Sequence, residues 1–195
     1  MVTFLAVGSM VLERVDWGSL FPPRDREEDL TAPLVDTDLF YTPNYDENIF
    51  NDAGYMDLNR LISFKESGMA LMMTEEQCRE YGKLAAFFAD YIGAIIRGEA
   101  DNYNALFSDD YFKSSKPKGR FTMQKLYDIE VEKLTEEVVG NYTRYRVSVK
   151  YKIRLNNGSF RNDVASDGAR AQLLLLDDRS GRILINSVSH YVSYN

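Results

Sequence analysis

The sequence predicts an α+β domain in which a long N-terminal helix and shorter helices pack on a strongly curved antiparallel sheet. A β-hairpin and an irregular acidic segment precede it. Three observations predict this class: a capped stretch of helical period from Thr74 to Gly98, a switch to period two beyond Tyr127, and a turn signal at Glu66-Ser67-Gly68 between two apolar runs.

The helix has a definite start, face and end. Thr74 and Gln77 form a capping box, and Glu75 and Glu76 suit the positive end of the helix dipole. Tyr81, Leu84, Ala85, Phe88, Tyr91, Ile92, Ile95 and Ile96 recur at three- and four-residue spacing, with Arg79, Glu80, Lys83, Asp90 and Arg97 mostly opposite. Gly98 then ends a helix of about six turns as its C-cap. A second helix is expected from Ala100, burying Tyr103, Leu106 and Phe107, and Ser108-Asp109-Asp110 starts a further turn through Tyr111 and Phe112. The loop Lys113 to Arg120 is basic, but it lacks the glycine spacing that would wrap amides around a phosphate, so it reads as solvated. A helical turn is expected at Phe121 to Leu126.

Alternation then takes over. Tyr127, Ile129 and Val131 alternate with Asp128, Glu130 and Glu132. In the next strand Tyr145, Val147, Val149, Tyr151, Ile153 and Leu155 share one face, and Arg144, Arg146, Ser148, Lys150, Lys152 and Arg154 share the other. The cationic row is expected to pair across the ladder with Asp128, Glu130 and Glu132. Asn157-Gly158 marks a turn, and further strands are expected at Ala169–Leu176 and Arg182–Tyr194 around a tight turn from Asp177 to Gly181. Upstream, Leu61–Lys65 and Met69–Met73 form the leading hairpin, with Met69, Leu71 and Met73 or their alternates turned inward.

Charge separates the N-terminal part from this domain. Residues 1–74 carry five Lys/Arg against 13 Asp/Glu, whereas residues 75–195 carry 18 against 17. Residues 13–59, with four prolines and an acidic cluster at Glu27-Glu28-Asp29, read as a linker, and 60–195 as the domain including its hairpin 60–73. Residues 1–12 are apolar but too short to span a bilayer. They read either as a docking strand or helix or as the stump of a membrane anchor, the latter placing the domain outside the membrane. A net charge of −7 without a basic reading helix argues against nucleic acid. Cys78 stands alone, and no cofactor or metal is expected.

The run FFADYIGAIIRGEADNYNALFSDDYF, with a glycine corner at Arg97-Gly98-Glu99, resembles the opening of the nuclear-transport-factor-two-like superfamily, and the final hairpin resembles Leu173 to Ser189. The likeness covers Thr74 to Asn195. It implies a cone-shaped roll whose helices close the open end of a bent sheet, on a fold that hosts isomerases, dehydratases, cyclases and non-catalytic adaptors. In such a roll Phe88, Tyr91, Ile92, Phe107 and Tyr151 would line a pocket between the main helix and the sheet. Dehydratase-like members pair His with Asp, so His190, helped by Asp163 or Tyr151, is the catalytic candidate here. The expected function is a binding or interaction domain with a protein partner or a second copy held through the sheet. The alternative is uptake of a small apolar ligand, or isomerase- or dehydratase-like catalysis, in the pocket.

Overall fold

A computed structural model of the chain describes residues 48–154 and 167–190. They form a mixed α+β structure with one six-stranded sheet and several short helices. The apolar segment 1–12 and most of the acidic segment, to residue 47, lie outside the described residues, as does the Asn157-Gly158 turn.

Order begins upstream of the hairpin. Residues 48–59, which the sequence assigns to the linker, form a 3₁₀ turn at Ile49–Asn51 and a short helix α1 at Ala53–Met56. Ile49 and Tyr55 are fully buried in the main core. The Tyr55 hydroxyl donates to the Leu126 carbonyl at 2.9 Å, and the buried Lys125 ammonium meets Asp52 at 2.8 Å. That hydrogen bond from Lys125 is the largest influence holding the Asp52 carboxyl below its ordinary range. These anchors lie far apart in sequence, so composition alone conceals them.

The hairpin follows as β1 (Ile62–Glu66) and β2 (Met69–Met73), turning through Ser67 and Gly68, both at positive φ. Helix α2 (Glu75–Tyr81) starts at the expected capping box: Thr74 Oγ1 accepts from Gln77 N–H, and Gln77 Oε1 accepts from Thr74 N–H. The expected six-turn helix is instead two helices. Gly82 is extended, and α3 (Lys83–Arg97) leaves it in a new direction. Arg97 Nη1 lies 2.9 Å from Glu75 Oε2, whereas a continuous helix would set residues 75 and 97 about 33 Å apart along its axis. Helix α2 therefore folds back along α3, and the ion pair of Arg79 with Asp90 at 3.3 Å ties the two together midway. Gly93 lies beneath the Glu75–Arg97 pair and leaves it room.

Gly98 ends α3 at φ +70, as the sequence predicts, and its N–H reaches the Ala94 and Ile95 carbonyls. Helices α4 (Ala100–Asn104) and α5 (Asp109–Phe112) follow, α5 capped by Ser108. Residues 121–124 are irregular where a helical turn was expected. They pass tightly over Gly98, and Gln124 N–H donates to the Ile96 carbonyl. That close passage decides the backbone path over local propensity.

The sheet is completed by β3 (Lys125–Val139), β4 (Tyr142–Arg154), β5 (Gly168–Arg179) and β6 (Arg182–His190), in the order β2-β1-β3-β4-β5-β6. It is mixed, not wholly antiparallel: β1 runs parallel to β3, because the chain crosses over through the helices between them. A bulge at Asp128, whose φ is +48, interrupts β3, and its amide bonds to the Asn59 carbonyl. On β4 the row Val147, Val149, Tyr151 and Ile153 is buried as predicted. The opposite row carries the expected ladder in part: Lys152 meets Asp128 at 2.9 Å and Lys150 meets Glu130 at 3.6 Å, but Glu132 stands opposite Ser148. Arg144 instead grips the buried Asp177 of β5 with two hydrogen bonds, at 2.7 and 3.1 Å.

Two glycines give a discriminating test. A Cβ on Gly98 would sit 2.9 Å from backbone atoms of residues 121–123 at a positive φ, whereas one on Gly82 would meet nothing within 4 Å. In urea denaturation Gly98→Ala is expected to lose about 2 kcal/mol or more, and Gly82→Ala less than about 1 kcal/mol.

Candidate functional site

The five pocket residues named from the sequence do converge. Phe88, Tyr91 and Ile92 sit at positions i, i+3 and i+4 of α3, Phe107 lies between α4 and α5, and Tyr151 comes from β4. All belong to one core cluster, and none is more than 5 % exposed. Aromatic rings fill the space between them. The centroids of Tyr91 and Tyr103 are 5.7 Å apart, those of Tyr103 and Phe107 4.9 Å, and those of Phe88 and Tyr91 6.2 Å.

Polar groups are embedded in this packing. The Tyr91 hydroxyl donates to Gln172 Oε1 of β5 at 3.0 Å, and both side chains are buried. The Tyr151 hydroxyl is buried and has no hydrogen-bond partner among the described residues. Burial pushes the ionisation of Tyr91, Tyr103 and Tyr151 upward, so these phenols stay protonated at neutral pH and act as donors, not bases. Such donors can stabilise an oxyanion, but acid–base catalysis also needs a base within reach.

The structure brings the catalytic candidates together only in part. His190 is the last residue of β6 and stands in backbone register with Gln172, the acceptor of Tyr91. Tyr151 is in register with Arg170, two positions along β5 from Gln172. Asp163 lies outside the described residues. Among the described residues no group of three or more His, Cys, Asp or Glu could hold a metal ion. Cys78 is buried, and burial pushes its thiol up to about 11, which leaves it unreactive near neutral pH. No helix of the described residues is long and apolar enough to cross a membrane.

A second feature, missed in the sequence, lies at the edges of the sheet. The β6 edge is bridged at Ile185: Ser108 N–H donates to the Ile185 carbonyl at 2.9 Å, and Ile185 N–H donates to the Leu106 carbonyl at 2.8 Å. At the other end, no described strand pairs with the outer side of β2. The two-residue turn makes Glu66 and Met69 a mutually bonded pair, and bonding alternates from there. Leu71 and Met73 thus also bond to β1, and the amides and carbonyls of Ala70 and Met72 face the open side.

The side chains on this edge are apolar and uncovered. The predicted inward row is correct in register, since Met69, Leu71 and Met73 stand opposite Glu66, Phe64 and Ile62. Only Met73 is buried, however, while Met69 is 66 %, Leu71 41 % and Met72 49 % exposed. The helical cover ends at Tyr81, which meets Phe64 of β1 edge-on at 5.8 Å. The signal was legible as MALMM itself, an apolar run without polar alternation and without the Lys or Pro that natural edge strands carry.

The interior makes a paired prediction. Tyr91→Phe removes a buried hydrogen bond and is expected to cost about 1 kcal/mol, whereas Tyr151→Phe removes an unpartnered hydroxyl and is expected to be neutral or stabilising. Chemical denaturation of both variants checks this. A loss in Tyr151→Phe matching that in Tyr91→Phe would mean that a bound molecule satisfies the Tyr151 hydroxyl.

Comparison with known protein families, with curated proteins and with solved structures finds no match to this chain.

Proposed function

We propose that this chain is a non-enzymatic interaction module that associates by strand addition at the open edge of β2, and that its occupant is a second copy of the same strand. The observation that carries this reading is the contrast between the edges: β6 is bridged at Ile185 by the chain linking α4 and α5, while no described strand pairs with the outer side of β2, where Met69, Leu71 and Met72 are exposed.

Self-pairing follows from register and charge. Two antiparallel copies of β2 centred on Leu71 would set Ala70 opposite Met72 of the partner strand and Met72 opposite its Ala70. These are the positions whose backbone groups face outward. The strand contains no charged residue, so the twofold arrangement places no like charges face to face. Only five residues pair on each side, so the dimer is weak and concentration-dependent. The aromatic packing around Tyr91, Tyr103 and Phe107 is what favours a filled interior over a ligand pocket or a catalytic site.

Ala70→Pro tests the proposal directly. It removes a donor on the open side and leaves the bonds to β1 in place. In sedimentation velocity across a concentration series, the unmodified chain is expected to shift from monomer to dimer, and Ala70→Pro to remain monomeric with unchanged thermal stability. A monomer at every concentration would sink the self-pairing reading, as would a dimer that Ala70→Pro leaves intact.

A further inference from the structure

A cleft of about 510 Å³ opens where the upstream segment meets the start of α2, beside the Thr74 end of β2. Its lining is mixed: Phe50, Leu58, Leu61 and Ile96 supply apolar surface, and Arg60 lies beside Glu75 and Glu76. The Arg60 guanidinium lies 5.7 Å from the centroid of the Tyr55 ring, and Tyr55 is anchored to β3. The arginine therefore stands on a fixed platform. Among the described residues its buried Nε has no hydrogen-bond partner, and no carboxylate forms an ion pair with it.

The two neighbouring acids do not fill that role. Glu75 is already committed: Arg97 donates to both of its oxygens, at 3.2 and 2.9 Å, and Arg79 approaches at 3.3 Å. Glu76 is exposed on the first turn of α2. An arginine presents a planar fork that matches the two oxygens of a carboxylate. A guanidinium with no carboxylate partner among the described residues gains charge-assisted hydrogen bonds from a carboxylate that a ligand supplies. The volume falls in the range of small-molecule sites, and walls of Phe50, Leu61 and Ile96 suit a hydrocarbon body. With Glu76 at the rim, a monoanion fits better than a phosphate dianion.

We propose that this cleft binds a monocarboxylate carried on an apolar chain, with its carboxylate held by Arg60 and its chain against Phe50, Leu61 and Ile96. A fatty acid and the C-terminus of an apolar peptide share this chemistry, and the probes separate them.

Calorimetric titration of the full chain with octanoate and with acetyl-Leu-Leu is the test, with octanol and octyl phosphate as controls. At least one of the two carboxylates is expected to saturate a single site, and the tighter one names the source. Binding should weaken by about tenfold or more in Arg60→Met, which keeps an apolar stem but loses the fork. In the unmodified chain the Arg60 Nε–H resonance should move with the carboxylate and not with octanol, a readout that survives even if the variant fails to fold. Three results would each overturn the proposal: no saturable binding of either carboxylate, octanol or octyl phosphate binding as tightly, or an Arg60 Nε–H resonance that stays fixed.

Discussion

Everything in this fold answers to one helix that must be buried nearly all round. In α3 only Lys83 and Asp90 are exposed, and ten of its fifteen residues are buried. An amphipathic surface helix of that length would bury roughly seven. A sheet can cover one side of such a helix but not both. The strands supply Val147, Val149, Tyr151, Leu174 and Leu176 on one side, and α2 folds back to cover another. The extended Gly82 lets the chain reverse, and the pairs Glu75–Arg97 and Arg79–Asp90 fix the reversal at its far end and its middle.

The exposed edge of the sheet follows from the same constraint. Helices committed to α3 have a finite span, and that span ends at Tyr81 over Phe64. The outermost strand is left with the correct register and no cover. At the opposite edge the chain leaving α4 lies against β6 and bonds to Ile185. One edge of the sheet is therefore bridged by the fold itself, and the other is an apolar, uncharged strand with no pairing strand among the described residues. Proteins seldom leave such a strand bare unless something pairs with it.

Local signals carried much of this from the sequence. The Thr74 capping box, the Gly98 cap, the Ser108 cap, the Ser67-Gly68 turn and the buried row of β4 rest on short-range chemistry, and each stands where it was expected. What failed rests on contacts distant in sequence. The reversal at Gly82 depends on Glu75 reaching Arg97, the order of residues 48–59 on Tyr55 reaching Leu126, and the irregular path at 121–124 on its passage over Gly98. The same divide applies to the candidate sites. Phe88, Tyr91 and Ile92 were legible because helical spacing puts them on one face. Tyr91's partner Gln172 was not, because 81 residues separate the two. The apolar run MALMM was legible, but its place at the edge of the sheet was not, since strand order is set by pairings distant in sequence, and the anchoring of the Tyr55 platform to Leu126 was hidden for the same reason.

Amide hydrogen exchange along β2 tests most directly the proposed hydrogen bonding of its outward groups between two copies of the chain. Met69, Leu71 and Met73 bond to β1 and should be protected at every protein concentration. Ala70 and Met72 should exchange freely in dilute solution and become protected as the concentration rises. Exchange at Ala70 and Met72 that does not change with concentration would contradict the account.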